Sequence, residues 1–196
     1  MVNMVDINTF IREYRGVKFS VLRMNEFWHE TKTLFEDTSV TDRERMQEVG
    51  KHFWGAVREA FQEVLLLYIN KLIDIHEVGG RQNLTLGRLL WSARQNMERD
   101  DYRRLIRIYG DIKELAGAVR GWRNKWYQHL DYDFVLGNPG AVILPPIPGI
   151  DLVKIIGLIN KFMTAVSKAT GDNLDYGSLT FNGDGGEVLA KLTDES

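Results

Sequence analysis

The chain has 196 residues, of which 44% are hydrophobic, and its formal net charge is −2. This length fits one domain with an apolar core, and the composition excludes a chain that is disordered throughout. The sequence contains no cysteine, which excludes disulfides, thiol catalysis and cysteine-bound zinc.

The first residues have neither a basic start nor an apolar run behind it, so they do not resemble a signal peptide. No stretch approaches the roughly 18 uninterrupted apolar residues that a membrane-spanning helix requires. We therefore expect a cytoplasmic protein that makes no membrane contact.

Charge is unevenly distributed along the chain. Residues 81–125 carry 11 basic and 5 acidic side chains, whereas the segments before and after them are acidic. A basic segment can attract a polyanion such as RNA. The alternative is that its arginines line solvated helix faces, and charge alone favours that alternative. The arginines concerned are Arg88, Arg94, Arg99, Arg103, Arg104 and Arg107.

The first half of the chain has two helical patterns. Apolar residues recur at helical spacing between about 17 and 35, after a weaker pattern between 7 and 14. A second helix begins at a capping box formed by Thr41 and Glu44, and Gly79-Gly80 would end it. Its length of about 50 Å indicates an elongated bundle. Its predicted apolar face comprises Met46, Val49, Phe53, Val57, Ala60, Val64, Leu67, Leu72 and Ile75.

Two further helices are predicted between residues 83 and 129. The first begins after Asn83 or Thr85, either of which can cap it, and the second runs from about 100 to 129. The apolar side of the second comprises Leu105, Ile108, Ile112, Leu115, Val119, Trp122 and Trp126. Its three glycines, at 110, 117 and 121, each cost about 1 kcal/mol relative to alanine. Close approach of another backbone, such as a second subunit, would explain them.

The last third of the chain begins with a stiff connection, because all four prolines lie within residues 139–148. An amphipathic helix follows at about 151–169. We expect the Gly- and Asp-rich tail, 171–196, to be extended and partly ordered, with Val188, Leu189 and Leu192 packing back. The predicted fold is thus all-α, an elongated bundle of four to six helices in a single domain over residues 1–196.

Three of the four histidines favour structural interpretations. His29, His52 and His76 lie on or near predicted helices, and none belongs to a pattern with the three converging ligands that a metal site requires. We predict no metal and no cofactor.

His129 has more reactive neighbours. The segment Arg123-Asn124-Lys125-Trp126-Tyr127-Gln128-His129 contains a permanently charged guanidinium, suited to phosphate, and an imidazole that carries a proton near neutral pH. Such a pair can serve RNA cleavage without a metal, one group moving the proton and the other stabilising charge on the phosphate.

Helix geometry limits this interpretation. On a regular helix, Arg123 and His129 point about 120° apart, so they converge only if the helix ends or distorts, or if two subunits build the site. His129 also falls on the same side as Trp122 and Trp126. On spacing alone, a buried core histidine is therefore favoured over catalysis.

The Arg123-Asn124 pair, followed by His129, resembles the signature of the HEPN superfamily, the small helical domains of many prokaryotic toxin and antiphage ribonucleases. Residues 72–75 and 79–90 are similar to a sequence block of its abortive-infection U-type branch. So are His129-Leu130-Asp131 and the tail leading into Val188–Leu192. The resemblance touches most of residues 40–192.

The resemblance implies a helical bundle in which two motif copies face each other in a homodimer. Arg123 matches the motif arginine, Asn124 its polar follower and His129 its histidine. The implied activity is metal-independent RNA cleavage through attack by the ribose 2′-hydroxyl, in a phage-defence or toxin system with a possible antitoxin or regulatory partner. Gln128 stands where this branch often has a small residue.

Other side chains near the motif have assigned roles in this hypothesis. Arg120, Lys125 and Tyr127 are candidate RNA contacts, and Asp131 either orients His129 or caps the helix end. Two alternatives stay open. One is a non-catalytic HEPN dimer that binds a nucleotide or a partner, and the other is a helical scaffold with a buried His129.

Overall fold

The structure is a computed structural model that describes residues 5–122 and 149–194. This part of the chain is almost entirely helical, which confirms the predicted all-α bundle. Its helices are α1 (Ile7–Thr31), α2 (Val40–Ile73), α3 (Leu86–Ala93), α4 (Arg99–Trp122), α5 (Gly149–Thr170) and α6 (Gly185–Asp194). A hairpin of β1 (Glu77–Val78) and β2 (Arg81–Gln82) precedes α3.

Helix α1 is one continuous element rather than the two that the sequence pattern indicated. Asp6 caps it by accepting a hydrogen bond from the Thr9 N–H at 3.0 Å. Buried side chains recur every three or four residues along it, which places one whole face in the core. These are Phe10, Tyr14, Val17, Val21 and Met24. A π-helical turn, Lys32–Glu36, continues α1 at its C-terminal end.

Both ends of α2 differ from the prediction. Ser39, not Thr41, caps the helix, because the Asp42 N–H donates to the Ser39 hydroxyl at 3.1 Å. The helix ends at Ile73. Gly79 and Gly80 instead form the hairpin turn, where both adopt positive φ angles that glycine tolerates best.

The first half of α2 is much more exposed than its apolar pattern indicated. Helical geometry is interrupted at Gly50, and between residues 47 and 64 no side chain is buried. Val49 is 66% exposed and Phe53 is 64% exposed. Placing Val49 and Phe53 on the core face was wrong, as it was for Ile75, which is also exposed.

The core forms where α1, the second half of α2, α4 and α5 pack together. Helix α5 is as predicted at both ends within two residues. The described apolar residues of α4 and α5 that are buried are Leu105, Ile112, Ala116, Val119, Leu152, Ile155, Ile156, Ile159, Phe162, Met163 and Val166. Between α1 and α5, the Asn25 and Asn160 amides exchange two hydrogen bonds of 2.8 Å.

The tail is more ordered than predicted. It contains a 3₁₀ turn, Tyr176–Ser178, and the helix α6. The Gly185 N–H donates to the Glu30 carboxylate at 3.1 Å, so a side chain of α1 satisfies a backbone donor at the start of α6. A Cβ at Gly183, in the preceding turn, would meet the same carboxylate, so the Glu30 side chain would have to move.

A polar network holds the start of the tail against α1. Asp172 accepts hydrogen bonds from the Lys18 ammonium at 2.7 Å and the Tyr14 hydroxyl at 2.6 Å, and both bonds lower the pKa of its carboxyl. The Tyr14 and Tyr176 hydroxyls lie 3.0 Å apart. Burial raises the pKa of Tyr176, so both phenols stay protonated across the physiological range.

Candidate functional site

The predicted catalytic segment lies outside the described residues. This holds for Arg123, Asn124 and His129, and equally for Lys125, Tyr127 and Asp131. The Pro-rich connection falls in the same range. Arg120 belongs to α4, but its side chain also lies outside the described part. These assignments therefore remain predictions, and the structure bears on the helix that leads to them.

One face of α4 forms an exposed basic ridge. Arg99, Arg103 and Arg107 are exposed and follow one another at intervals of four residues, which keeps them on one side of the helix. Arg103 contacts the Asp100 carboxylate at 3.2 Å, but this pair is open to solvent. The ridge is thus available to a polyanion. It equally fits the alternative interpretation, in which these arginines line a solvated helix face and bind nothing.

Arg88 does not belong to a solvated face, contrary to the prediction. Its guanidinium forms an ion pair with the Glu13 carboxylate at 2.7 Å, and the two side chains are only 11% and 13% exposed. The guanidinium also lies 4.4 Å from the centre of the Trp91 ring. Ser92 donates a hydrogen bond to the same carboxylate. Arg88 therefore joins α3 to α1 and is not free to contact RNA.

Packing and capping account for the sequence block at residues 83–90. The Asn83 amide donates to the Ile75 carbonyl at 2.9 Å, which closes the hairpin region. The Thr85 hydroxyl accepts from the Arg88 N–H at 3.2 Å and caps α3, as predicted for one of the two candidate caps. Leu86 and Leu89 are fully buried. Each of these residues thus has a role in the fold.

Two glycines of α4 face open space within the described part of the structure. A Cβ added at Gly110 or Gly117 would meet no atom within 4 Å. Residues 5–122 and 149–194 therefore do not supply the expected close approach of another backbone at either position. Approach of a second subunit stays a prediction, and it would fit a surface that lacks side chains at both positions.

The other three histidines lie within the described part of the chain. His29 is half-buried, with its ring centre 6.2 Å from that of Phe181. His52 is exposed, and the half-buried His76 lies beside Gly87. Within residues 5–122 and 149–194, no three His, Asp or Glu side chains are grouped so that they could hold a metal ion.

A groove that sequence reasoning missed opens between α4 and α5. Its volume is about 970 Å³, and its rim includes Arg104 on α4 and Lys161 and Lys168 on α5. The signal in the sequence was the spacing of polar side chains on α5, where Asn160, Lys161, Thr164 and Lys168 recur along one side of an otherwise apolar helix. No motif distinguished these residues from an ordinary solvated face.

Neither the protein-family models, nor the curated proteins, nor the solved structures that were compared with this chain give a match. No helix that the structure describes is long and apolar enough to cross a lipid bilayer.

Proposed function

We propose that the protein is a metal-independent endoribonuclease of the HEPN type, acting in a phage-defence or toxin setting. The observation that carries the proposal is the exposed arginine ridge of α4, at 99, 103 and 107. In the sequence, Arg123 comes directly after Trp122, where the described part of this helix ends. A basic helix surface and an Arg–His motif in the same region of the sequence suit a phosphodiester substrate.

The proposed chemistry uses three side chains. Arg123 binds the scissile phosphate and stabilises the charge that develops on its oxygens. His129 moves a proton as the 2′-oxygen attacks phosphorus and the 5′-oxygen leaves, which yields a 2′,3′-cyclic phosphate and a 5′-hydroxyl. Asn124 orients the reacting groups. Arg120, Lys125 and Tyr127 contact the RNA strand, and Asp131 orients His129.

The proposed active form is a homodimer in which the two motifs build one site. The open surface at Gly110 and Gly117 supports this idea, because missing side chains let a second helix approach closely. Dimerisation would also relieve the divergence of about 120° between Arg123 and His129 on one regular helix.

The test is cleavage of total cellular RNA by the purified protein in EDTA. Arg123→Ala and His129→Ala should abolish cleavage. The matched controls Arg58→Ala and His52→Ala should retain it, because both residues are exposed on α2. Circular dichroism and light scattering must show that each variant folds and associates as the parent does.

Two results would contradict the proposal. In the first, the parent leaves RNA intact while remaining folded and dimeric, which would favour the non-catalytic binding module. In the second, His129→Ala lowers stability and has no specific effect on cleavage, which would make His129 a core residue. The 3′ ends of the products add a further check, since they should carry a cyclic phosphate.

A further inference from the structure

The groove between α4 and α5 is large enough for a small molecule. It lies along the first half of α4 and the second half of α5, and Ile7 and Gly177 border it. Its volume of about 970 Å³ falls at the upper end of the range for ligand pockets. Arg104 precedes Trp122, where the described part of α4 ends, by 18 residues, which is about 27 Å along the helix axis.

Three cations around the groove have no ion-pair partner among residues 5–122 and 149–194. They are Arg104, Lys161 and Lys168, all exposed. Two other cations on these helices do have such a partner, since Arg103 contacts Asp100 at 3.2 Å and Lys154 contacts Asp151 at 3.9 Å. The same groove is lined by the carboxylates of Glu98, Asp101 and Asp175, so it offers both cations and hydrogen-bond acceptors to a ligand.

The acidic residues of the groove fall into two groups. The Asp175 carboxylate already accepts hydrogen bonds from the Gly177 N–H at 3.0 Å and the Thr164 hydroxyl at 3.3 Å. Glu98 and Asp101 line the groove without a side-chain partner in the described part of the chain. Their carboxylates can only accept hydrogen bonds, so they suit the hydroxyl or amino groups of a ligand.

We propose that this groove binds a small phosphate ester that also carries hydroxyl or amino groups. The Arg104 guanidinium supplies a forked donor for phosphate oxygens, and the two lysines supply further charge. Glu98 and Asp101 accept from the donors of the remaining part of the molecule. Inorganic phosphate would use only the cations, and an uncharged polyol only the carboxylates, so both should bind more weakly.

The direct test is isothermal titration calorimetry of the full chain with adenosine 5′-monophosphate, ribose 5-phosphate, adenosine and inorganic phosphate. At least one of the two esters should bind saturably at millimolar concentration or below. Adenosine and inorganic phosphate should bind that ester's site about tenfold more weakly or not at all, as expected when one set of charged hydrogen bonds is lost. The absence of binding by both esters would overturn the proposal, as would equal binding of inorganic phosphate.

Four variants locate the site. Arg104→Ala and Lys161→Gln should each weaken ester binding by about tenfold or more. Arg103→Ala and Lys154→Gln are matched controls on the same two helices and should stay close to the parent. Equal losses in all four would mean that the ester binds through general positive charge, which would overturn the assignment to the groove. Circular dichroism establishes that each variant is folded.

This proposal and the ribonuclease proposal are separable. Arg123→Ala should abolish RNA cleavage but leave ester binding unchanged, whereas Arg104→Ala should weaken ester binding in a protein that still cleaves RNA. Loss of ester binding in Arg123→Ala would mean that the esters occupy the motif site instead, and the groove assignment would then be wrong.

Discussion

Helix α1 and the first half of α2 both place apolar residues at helical spacing, but the structure buries only one of the two faces. Phe10 on α1 is fully buried, whereas Phe53 on α2 is 64% exposed. Helix α1 meets α2, α3 and α5 along its length. The first half of α2 extends past the core, which α2 joins mainly through residues 65–73. An apolar stripe therefore predicts which face of a helix can be buried, but not whether another segment of the chain packs against it.

The largest expected effect comes from making the same substitution in both helices. Phe10→Ala should lower the free energy of unfolding by about 3–5 kcal/mol, because it removes a fully buried ring and leaves a cavity. Phe53→Ala should cost less than about 1 kcal/mol, because most of this residue is already exposed to water. Urea unfolding followed by circular dichroism measures both, with Phe10→Leu as a milder variant if Phe10→Ala does not fold.

A large loss of stability in Phe53→Ala would contradict the expected difference between the two helices. It would mean that the exposed face of α2 is covered in solution by another molecule. Repeating the measurement at lower protein concentration distinguishes the cases, because a face covered by a second copy gives a stability that depends on concentration.

The next effect compares two ion pairs, one in each region. Arg88→Ala leaves the Glu13 carboxylate nearly buried without its cation, and should cost about 1.5–3 kcal/mol. Arg58→Ala removes a pair in which Arg58 and Glu36 lie 3.8 Å apart and are about half exposed. Exposed pairs of this kind contribute about 0–1 kcal/mol. Equal costs in thermal or urea unfolding would show that the Glu13 contact is not the anchor between α1 and α3.

Acid should weaken the contact between α1 and the tail. Hydrogen bonds from Lys18 and Tyr14 hold the pKa of Asp172 below its usual value. In the unfolded chain the pKa of Asp172 is about 4, and in the folded protein it is lower. The contribution of Asp172 to stability is thus fully present above about pH 4, and it is lost as the pH falls through the pKa of the folded protein. Asp172→Asn should therefore lose less stability between neutral and acidic pH than the parent does.

The control for this titration is Glu59→Gln, which changes an exposed carboxylate on the first half of α2. It should keep the parent's loss of stability with acid. If Asp172→Asn retains the full loss as well, the tail contact does not contribute to the pH dependence. Urea midpoints at several pH values provide the comparison.

The sequence predicted well those features that depend on local pattern. The all-α class, the Thr85 cap and α5 followed from helical spacing and capping chemistry, which act within a few residues. Prediction from the sequence failed where a contact joins segments that are far apart in the chain. The pairing of Arg88 with Glu13 spans 75 residues, and the Glu30 contact that orders the tail spans 155. No local pattern could reveal either pair.

The two candidate sites differ in the same respect. The Arg123–His129 motif is a short-range pattern, so the sequence alone suffices to propose it. The groove has no such pattern, since Arg104 and Lys161 come together only because α4 packs against α5. A site assembled from separate helices becomes visible only once the packing is known.

The smallest predicted effect tests how α2 begins. Sequence pattern placed the cap at Thr41, whereas the structure has the Asp42 N–H donating to Ser39 and the Ser39 hydroxyl donating to the Asp42 carboxylate at 2.6 Å. Ser39→Ala should cost about 0.5–2 kcal/mol, and Thr41→Ala less than about 0.5 kcal/mol, in urea unfolding. The reverse order would assign the cap to Thr41. Because this end of α2 packs loosely, capping should influence it more than packing does, and hydrogen exchange of its amides should rise in Ser39→Ala while that of the α1 amides stays unchanged.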